Sequence, residues 1–185
     1  MRAYITAGLL ALVTALLLSG CTWLPAASEP DGTAPAVDHE VTVVEVVDAD
    51  TLDVRMPDGG TETVRLLGVD APETSAENDP AEFEGIPDTL VGRACLRTAG
   101  ENATAAAEEL LAGGTVRVRT DPTADRRGSY GRLLADVTVD NESLSRVLLA
   151  RGHARLYDTT FQRRDEFATV EDQAQAAGRG LWACR

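Results

Sequence analysis

The chain has 185 residues, with 30 Asp and Glu against 17 basic residues, every one of them Arg, and a formal charge of −13. That length suits one domain with extensions and allows a proper hydrophobic core, while the acidic balance taken alone argues against a nucleic-acid partner. An acid-rich, lysine-free surface is the one expected of a protein living in concentrated salt, although a coding bias towards Arg would also remove Lys; 3 Cys and 2 His leave few partners for a zinc site.

Residues 1–20 read as a signal peptide, with Arg2 ahead of an apolar run from Ile5 to Leu18 that is too short to span a bilayer comfortably. Leu18-Ser19-Gly20-Cys21 matches the bacterial-type lipobox, in which cleavage precedes the Cys and its thiol is acylated. Cys21 is therefore expected to anchor the protein in the cell membrane at its extracellular face. The alternative is an ordinary signal with an incidental Cys21. Residues 21–39, rich in Ala, Pro, Ser, Asp and Gly, read as a flexible tether, and residues 40–185 as the folded domain. Cys95 and Cys184 remain as an even pair outside the cell, where a disulfide is the natural reading. Sequons at Asn102 and Asn141 permit glycosylation there.

Val41–Val47 and Thr51–Met56 are strand-like runs, and Pro57-Asp58-Gly59-Gly60 has the composition of a hairpin turn before a third strand, Thr61–Val69. Ser75–Val91 carries five acids and two prolines without a period and reads as an irregular loop. Helix is predicted over Arg93–Ala112, with an interruption at Gly100 and a stop at Gly113-Gly114. Thr115–Thr120 alternates strictly, Asp121–Tyr130 is turn-rich, and Arg132–Val139 makes a fifth strand. A short helix opened by Ser143, an extended segment His153–Tyr157 and a last helix Phe161–Ala177 complete the chain. Three strands, a helix, two strands, then helices predict an α+β fold, a small β-barrel with packed helices.

The hairpin places Asp50, where the first strand turns into the second, at the same open end as Asp70, where the third strand finishes. Carboxylates converging there repel unless a cation lies between them, and oxygen ligands without His or Cys favour Ca2+ or Mg2+ over zinc. Glu73 follows Asp70 just past a proline, while Arg65 and Arg132 stand on strands nearby. A hard cation, two forked guanidiniums and a carboxylate suit a phosphodiester, stabilising the charge of a pentacoordinate phosphorus and orienting or deprotonating a water.

Val47-Asp-Ala-Asp-Thr51, Val64-Arg-Leu-Leu-Gly-Val-Asp-Ala-Pro-Glu-Thr74 and Ser129-Tyr-Gly-Arg132 resemble the staphylococcal nuclease (thermonuclease) family. Leu149-Ala-Arg-Gly-His-Ala-Arg-Leu-Tyr157 and Gly180-Leu-Trp182 look like its later landmarks, so the resemblance covers about Val41 to Trp182. It implies a five-stranded OB-fold barrel with three packed helices and Ca2+-dependent cleavage of DNA and RNA. By motif position it implies that Asp50, Asp70 and the carbonyl of Ala71 bind the metal. Glu73 matches the catalytic glutamate, and Arg65 and Arg132 match the phosphate-binding arginines. Tyr130, and more loosely Tyr157, match the nucleotide pocket. Three departures stand out: a long acidic loop over Ser75–Gly100, Gly128 where an acid is common, and an acidic chain where familiar members are basic. The chain is expected to be a monomer. Two rival readings stay open. One is an OB-type module that holds nucleic acid or protein without cutting. The other is a Ca2+-stabilised surface protein that would need neither arginine.

Overall fold

Alternating β-branched residues make a long first strand, β1 (Asp38–Asp48), in a computed structural model that describes residues 36–185. The signal segment, Cys21 and nearly all of the tether lie outside the described residues. The strand begins at Asp38, so the domain starts slightly before residue 40. Strands β2 (Thr51–Arg55) and β3 (Thr61–Leu66) form the expected hairpin, in register Thr51↔Arg65 to Arg55↔Thr61. Its turn closes as the sequence requires: Gly59 takes φ +88°, where a Cβ is disfavoured, and Asp58 accepts from Gly60 N at 2.9 Å. The chain then runs through β4 (Val69–Asp70), α1 (Leu90–Leu111), β5 (Val116–Arg119), β6 (Leu133–Val139), β7 (Glu142–Ser143), α2 (Leu144–Arg151), β8 (Arg155–Leu156) and α3 (Arg164–Ala176).

Strand order β3-β2-β1-β5-β6, with β3 also paired in parallel to β6, closes a five-stranded barrel of the OB type carrying three helices. β1 makes closure possible by serving both walls. Its first residues pair with β5 and its later ones with β2, with register shifts between Val43 and Glu45 and between Val46 and Asp48. Such bulges bend a strand and raise its twist. Leu52, Val54, Val64, Leu66, Val118, Leu133, Ala135 and Val137 fill the interior, and Ala103, Ala107, Leu148 and Leu149 join them from α1 and α2.

A smaller apolar cluster lies outside the barrel. Phe83 and Ile86 of the acidic segment pack there with Leu96 and Ala99 of α1, Ala174 of α3, and Leu181 and Trp182. Beside it Cys95 and Cys184 are joined in a disulfide, with Cα atoms 5.8 Å apart across 89 residues of chain.

Four local expectations change. Helix α1 starts at Leu90, where Thr89 caps it by accepting from Gly92 N at 3.1 Å, and it runs unbroken through Gly100. The third strand stops at Leu66; Gly68, at φ +76°, turns the chain into β4, and a Cβ there would lie 2.4 Å from the Phe161 ring. The acidic segment is not wholly irregular, since Pro80–Glu82 forms a 3-10 turn capped by Asp79. Helix α3 begins at Arg164, later than Phe161, because Phe161 is committed to the barrel core.

Candidate active site

The β2–β3 register carries Asp50 and Arg65 to one end of the barrel. Leu66 N donates to Asp50 O at 2.8 Å, and the turn at Gly68 brings the next residues back over that end. Asp50, only 5% exposed, accepts from Ala71 N at 2.7 Å through Oδ2 and from Thr51 Oγ1 at 3.1 Å through Oδ1. The Arg65 guanidinium pairs with Asp50 through Nη1 and with Asp70 Oδ1 at 2.6 Å through Nη2. The two carboxylates thus converge on one guanidinium, Asp50 placed by the hairpin and Asp70 by the turn at Gly68 rather than by the end of the third strand. Burial lowers the Arg65 pKa, and the neighbouring carboxylates of Asp70 and Asp48 oppose that shift.

Arg132 enters from the start of β6, whose parallel pairing with β3 sets Val64 against Leu133. Its Nη1 donates to Thr51 Oγ1 at 3.3 Å, and its guanidinium lies 5.6 Å from the Tyr130 ring centroid. Glu73, exposed, shares a cleft of about 310 Å³ with Arg65, Asp70, Tyr130, Arg132 and Tyr157. Partial desolvation raises the Glu73 pKa, helped by the negative charges of Asp48 and Asp70. The chain therefore gathers Asp50, Asp70, Ala71, Glu73, Arg65, Arg132, Tyr130 and Tyr157 at one end of the barrel. The Cys95–Cys184 disulfide lies beside the outer cluster, and Asn102 and Asn141 are both exposed, Asn141 at φ +68°.

Sequence reasoning passed over three neighbours. Asp48 stands inside the quoted motif, accepts from Asp50 N at 3.1 Å, and has its pKa raised by burial. A second carboxylate two residues before Asp50 was the available signal. Arg155 bonds Asp70 Oδ2 at 2.7 Å and lies over the rings of Phe83 and Tyr157. Only the pairing of β4 with β8, Asp70 opposite Arg155, brings it there. Asn78 holds the backbone of Glu73 from within the acidic segment.

Among the described residues, no three His, Cys, Asp or Glu side chains form a ready-made metal cage. The donors present still fit a hard cation: two carboxylates bent towards one point, with the Ala71 backbone beside them, and no sulfur or imidazole. A cation entering there competes with Arg65 for the same oxygens.

The family model described as staphylococcal nuclease homologue matches residues 63–184. The chain is 37% identical over 147 residues to the uncharacterized protein MJ1439 of Methanocaldococcus jannaschii, covering 76% of this chain and 70% of that protein. It is 33% identical over 147 residues to the SPbeta prophage-derived endonuclease YokF of Bacillus subtilis, covering 78% of this chain and 44% of that one. It therefore spans less than half of the YokF length. Identity to the thermonuclease of Staphylococcus hyicus is 26% over 183 residues, 97% of this chain and 98% of that protein.

Proposed function

The chain belongs to the staphylococcal nuclease family, and from that premise we propose that it is a Ca2+-dependent nuclease, monomeric and lipid-anchored at Cys21 on the extracellular face of the cell membrane, that hydrolyses the phosphodiester bonds of DNA, RNA or both. The observation that carries the reading is the convergence of Arg65, Asp70, Glu73 and Arg132 on one cleft, with Asp50 bonded to Arg65 beneath it.

In this reading Asp50, Asp70 and the Ala71 carbonyl hold the ion, which supplies positive charge to the phosphate when bound. Glu73, on the open side of the cleft, accepts or orients the proton of the attacking water. Arg132 presents a planar fork to the non-bridging oxygens, and Arg65, beside the same cleft and bonded to Asp50 and Asp70, would offer a second. Tyr130, 85% exposed, and Tyr157, 50% exposed, offer faces on which a base can stack.

Plasmid degradation with Ca2+ and with chelator tests the activity. Glu73→Gln should lower turnover by about 10²–10⁴-fold. Arg132→Ala should be similarly damaging, and Arg132→Lys should restore only part of the loss. Near wild-type hydrolysis by both Glu73→Gln and Arg132→Ala refutes the assignment. The acidic surface favours the rival non-cutting module, which predicts retention of nucleic acid by the folded protein with no Ca2+-dependent cleavage.

A further inference from the structure

The acidic segment after Glu73 does more than line the approach to the cleft. Asn78, 5% exposed, spends its whole side chain on one residue: Oδ1 accepts from Glu73 N at 2.7 Å, and Nδ2 donates to Glu73 O at 2.9 Å. A neighbouring strand would normally supply that donor and acceptor. Here a carboxamide supplies both from five residues downstream. Asp would keep the acceptor and lose the donor, and Ala would lose both.

The clamp is itself anchored. Arg93 of α1 donates to Asn78 O at 3.2 Å and also grips Glu77 at 2.6 Å and Asp88 at 2.7 Å. Arg97, one helical turn on, donates to Thr74 O at 3.1 Å. A further turn along, Gly100 is packed against the carbonyls of Pro72 and Glu73. Both backbone polar groups of Glu73 are thus held by Asn78, whose own carbonyl is bonded to Arg93 of α1, while the Glu73 carboxylate is left to the cleft.

We propose that Asn78 is the positioning residue of Glu73: by clamping the Glu73 N–H and C=O together it fixes the direction in which the Cα–Cβ bond carries the carboxylate into the cleft. The inference rests on Glu73 being the catalytic carboxylate. It makes the acidic segment part of the reaction apparatus, because a side chain within hydrogen-bond reach of a water tolerates little displacement, and about 1 Å can cost 10²-fold in rate.

A double-mutant cycle tests it, with kcat and KM measured for the parent, Asn78→Ala, Glu73→Gln and the double variant on one nucleic-acid substrate with Ca2+. Asn78→Ala should lower kcat by about 10–10²-fold with KM changed less than about threefold, since no substrate contact is lost. In the Glu73→Gln background the same change should cost less than about twofold, because the group it aims is already disabled. A merely structural Asn78 would cost the same factor in both backgrounds. Amide hydrogen exchange without metal supplies a readout independent of turnover: protection of the Glu73 N–H should fall in Asn78→Ala. If that variant does not fold, Asn78→Asp, which keeps the acceptor for Glu73 N, takes its place with an expected loss of about tenfold. A folded Asn78 variant with unchanged kcat, or an equal loss in both backgrounds, overturns the proposal and leaves the catalytic reading of Glu73 standing. A fully active Glu73→Gln overturns both.

Discussion

Replacing Gly100 by Ala should harm this protein where helix propensity alone says it should help. Gly100 lies inside α1, and Gly→Ala in a helix interior ordinarily stabilises by about 1 kcal/mol. Here the added Cβ would lie 2.4 Å from Pro72 O and 3.0 Å from Glu73 O. Both are main-chain atoms, so no flexible side chain can swing aside. Restoring an ordinary contact of about 3.5 Å requires the loop or the helix to retreat by roughly 1 Å. Overpacking of that kind costs about 1–3 kcal/mol, which leaves a net destabilisation of roughly 1 kcal/mol once the helix gain is subtracted. For a domain of this size that lowers Tm by about 3 °C. The retreat also moves the Glu73 backbone, so kcat should fall by up to about 10²-fold. Thermal unfolding and initial rates of DNA hydrolysis on the same preparation measure both effects. Asn102→Ala, at an exposed position of the same helix, serves as the control and should raise or hold Tm without touching kcat. If Gly100→Ala raises Tm like an ordinary helix substitution and turnover is intact, the close-approach argument is wrong.

Reducing the Cys95–Cys184 bridge should lower Tm markedly, since closing a loop of 89 residues contributes up to roughly 4 kcal/mol on the entropic model; both thiols alkylating without reductant would contradict it. Hydrolysis should persist or rise towards molar salt, because the Debye length there is about 3 Å and the repulsion between a −13 chain and a polyanion is screened. Salt also weakens counterion-release binding, so affinity must come from Ca2+ and short-range arginine contacts; a steep fall between about 0.1 and 2 M salt with the fold intact counts against the high-salt reading. Burial, and then the charge of Arg151, lower the His153 pKa, so the folded state favours the neutral ring. That contribution to stability is complete above the unfolded value of about 6.5 and is lost as pH falls through the lowered folded value. The Tm of His153→Gln should therefore drop less than the parent's between about pH 7.5 and 5, and parallel curves would refute it.

The sequence by itself determined what depends on neighbours along the chain. Alternating β-branched runs and the Pro57–Gly60 turn were enough to set the β2–β3 hairpin, and with it Asp50 and Arg65 at one end of the barrel; Asp70 joins them only through the turn at Gly68. The helix starting after Ser143 was equally legible, because the cap is local: Ser143 Oγ accepts from Arg146 N. Gly100 shows where such reasoning stops. Read along the chain it is a helix breaker; in the fold it is the space into which the carbonyls of Pro72 and Glu73 fit. Arg155 meets Asp70 only because β8 pairs with β4, and Cys95 meets Cys184 only because α1 packs against the carboxy-terminal turn. Asn78 in an aperiodic acidic loop gives no local sign that its amide will turn back on Glu73. Propensity and turn chemistry act over a few residues and can be read one window at a time. Close approach, ion pairing and backbone clamping depend on which distant surfaces the closed barrel and its helices press together, and that was decided only in three dimensions.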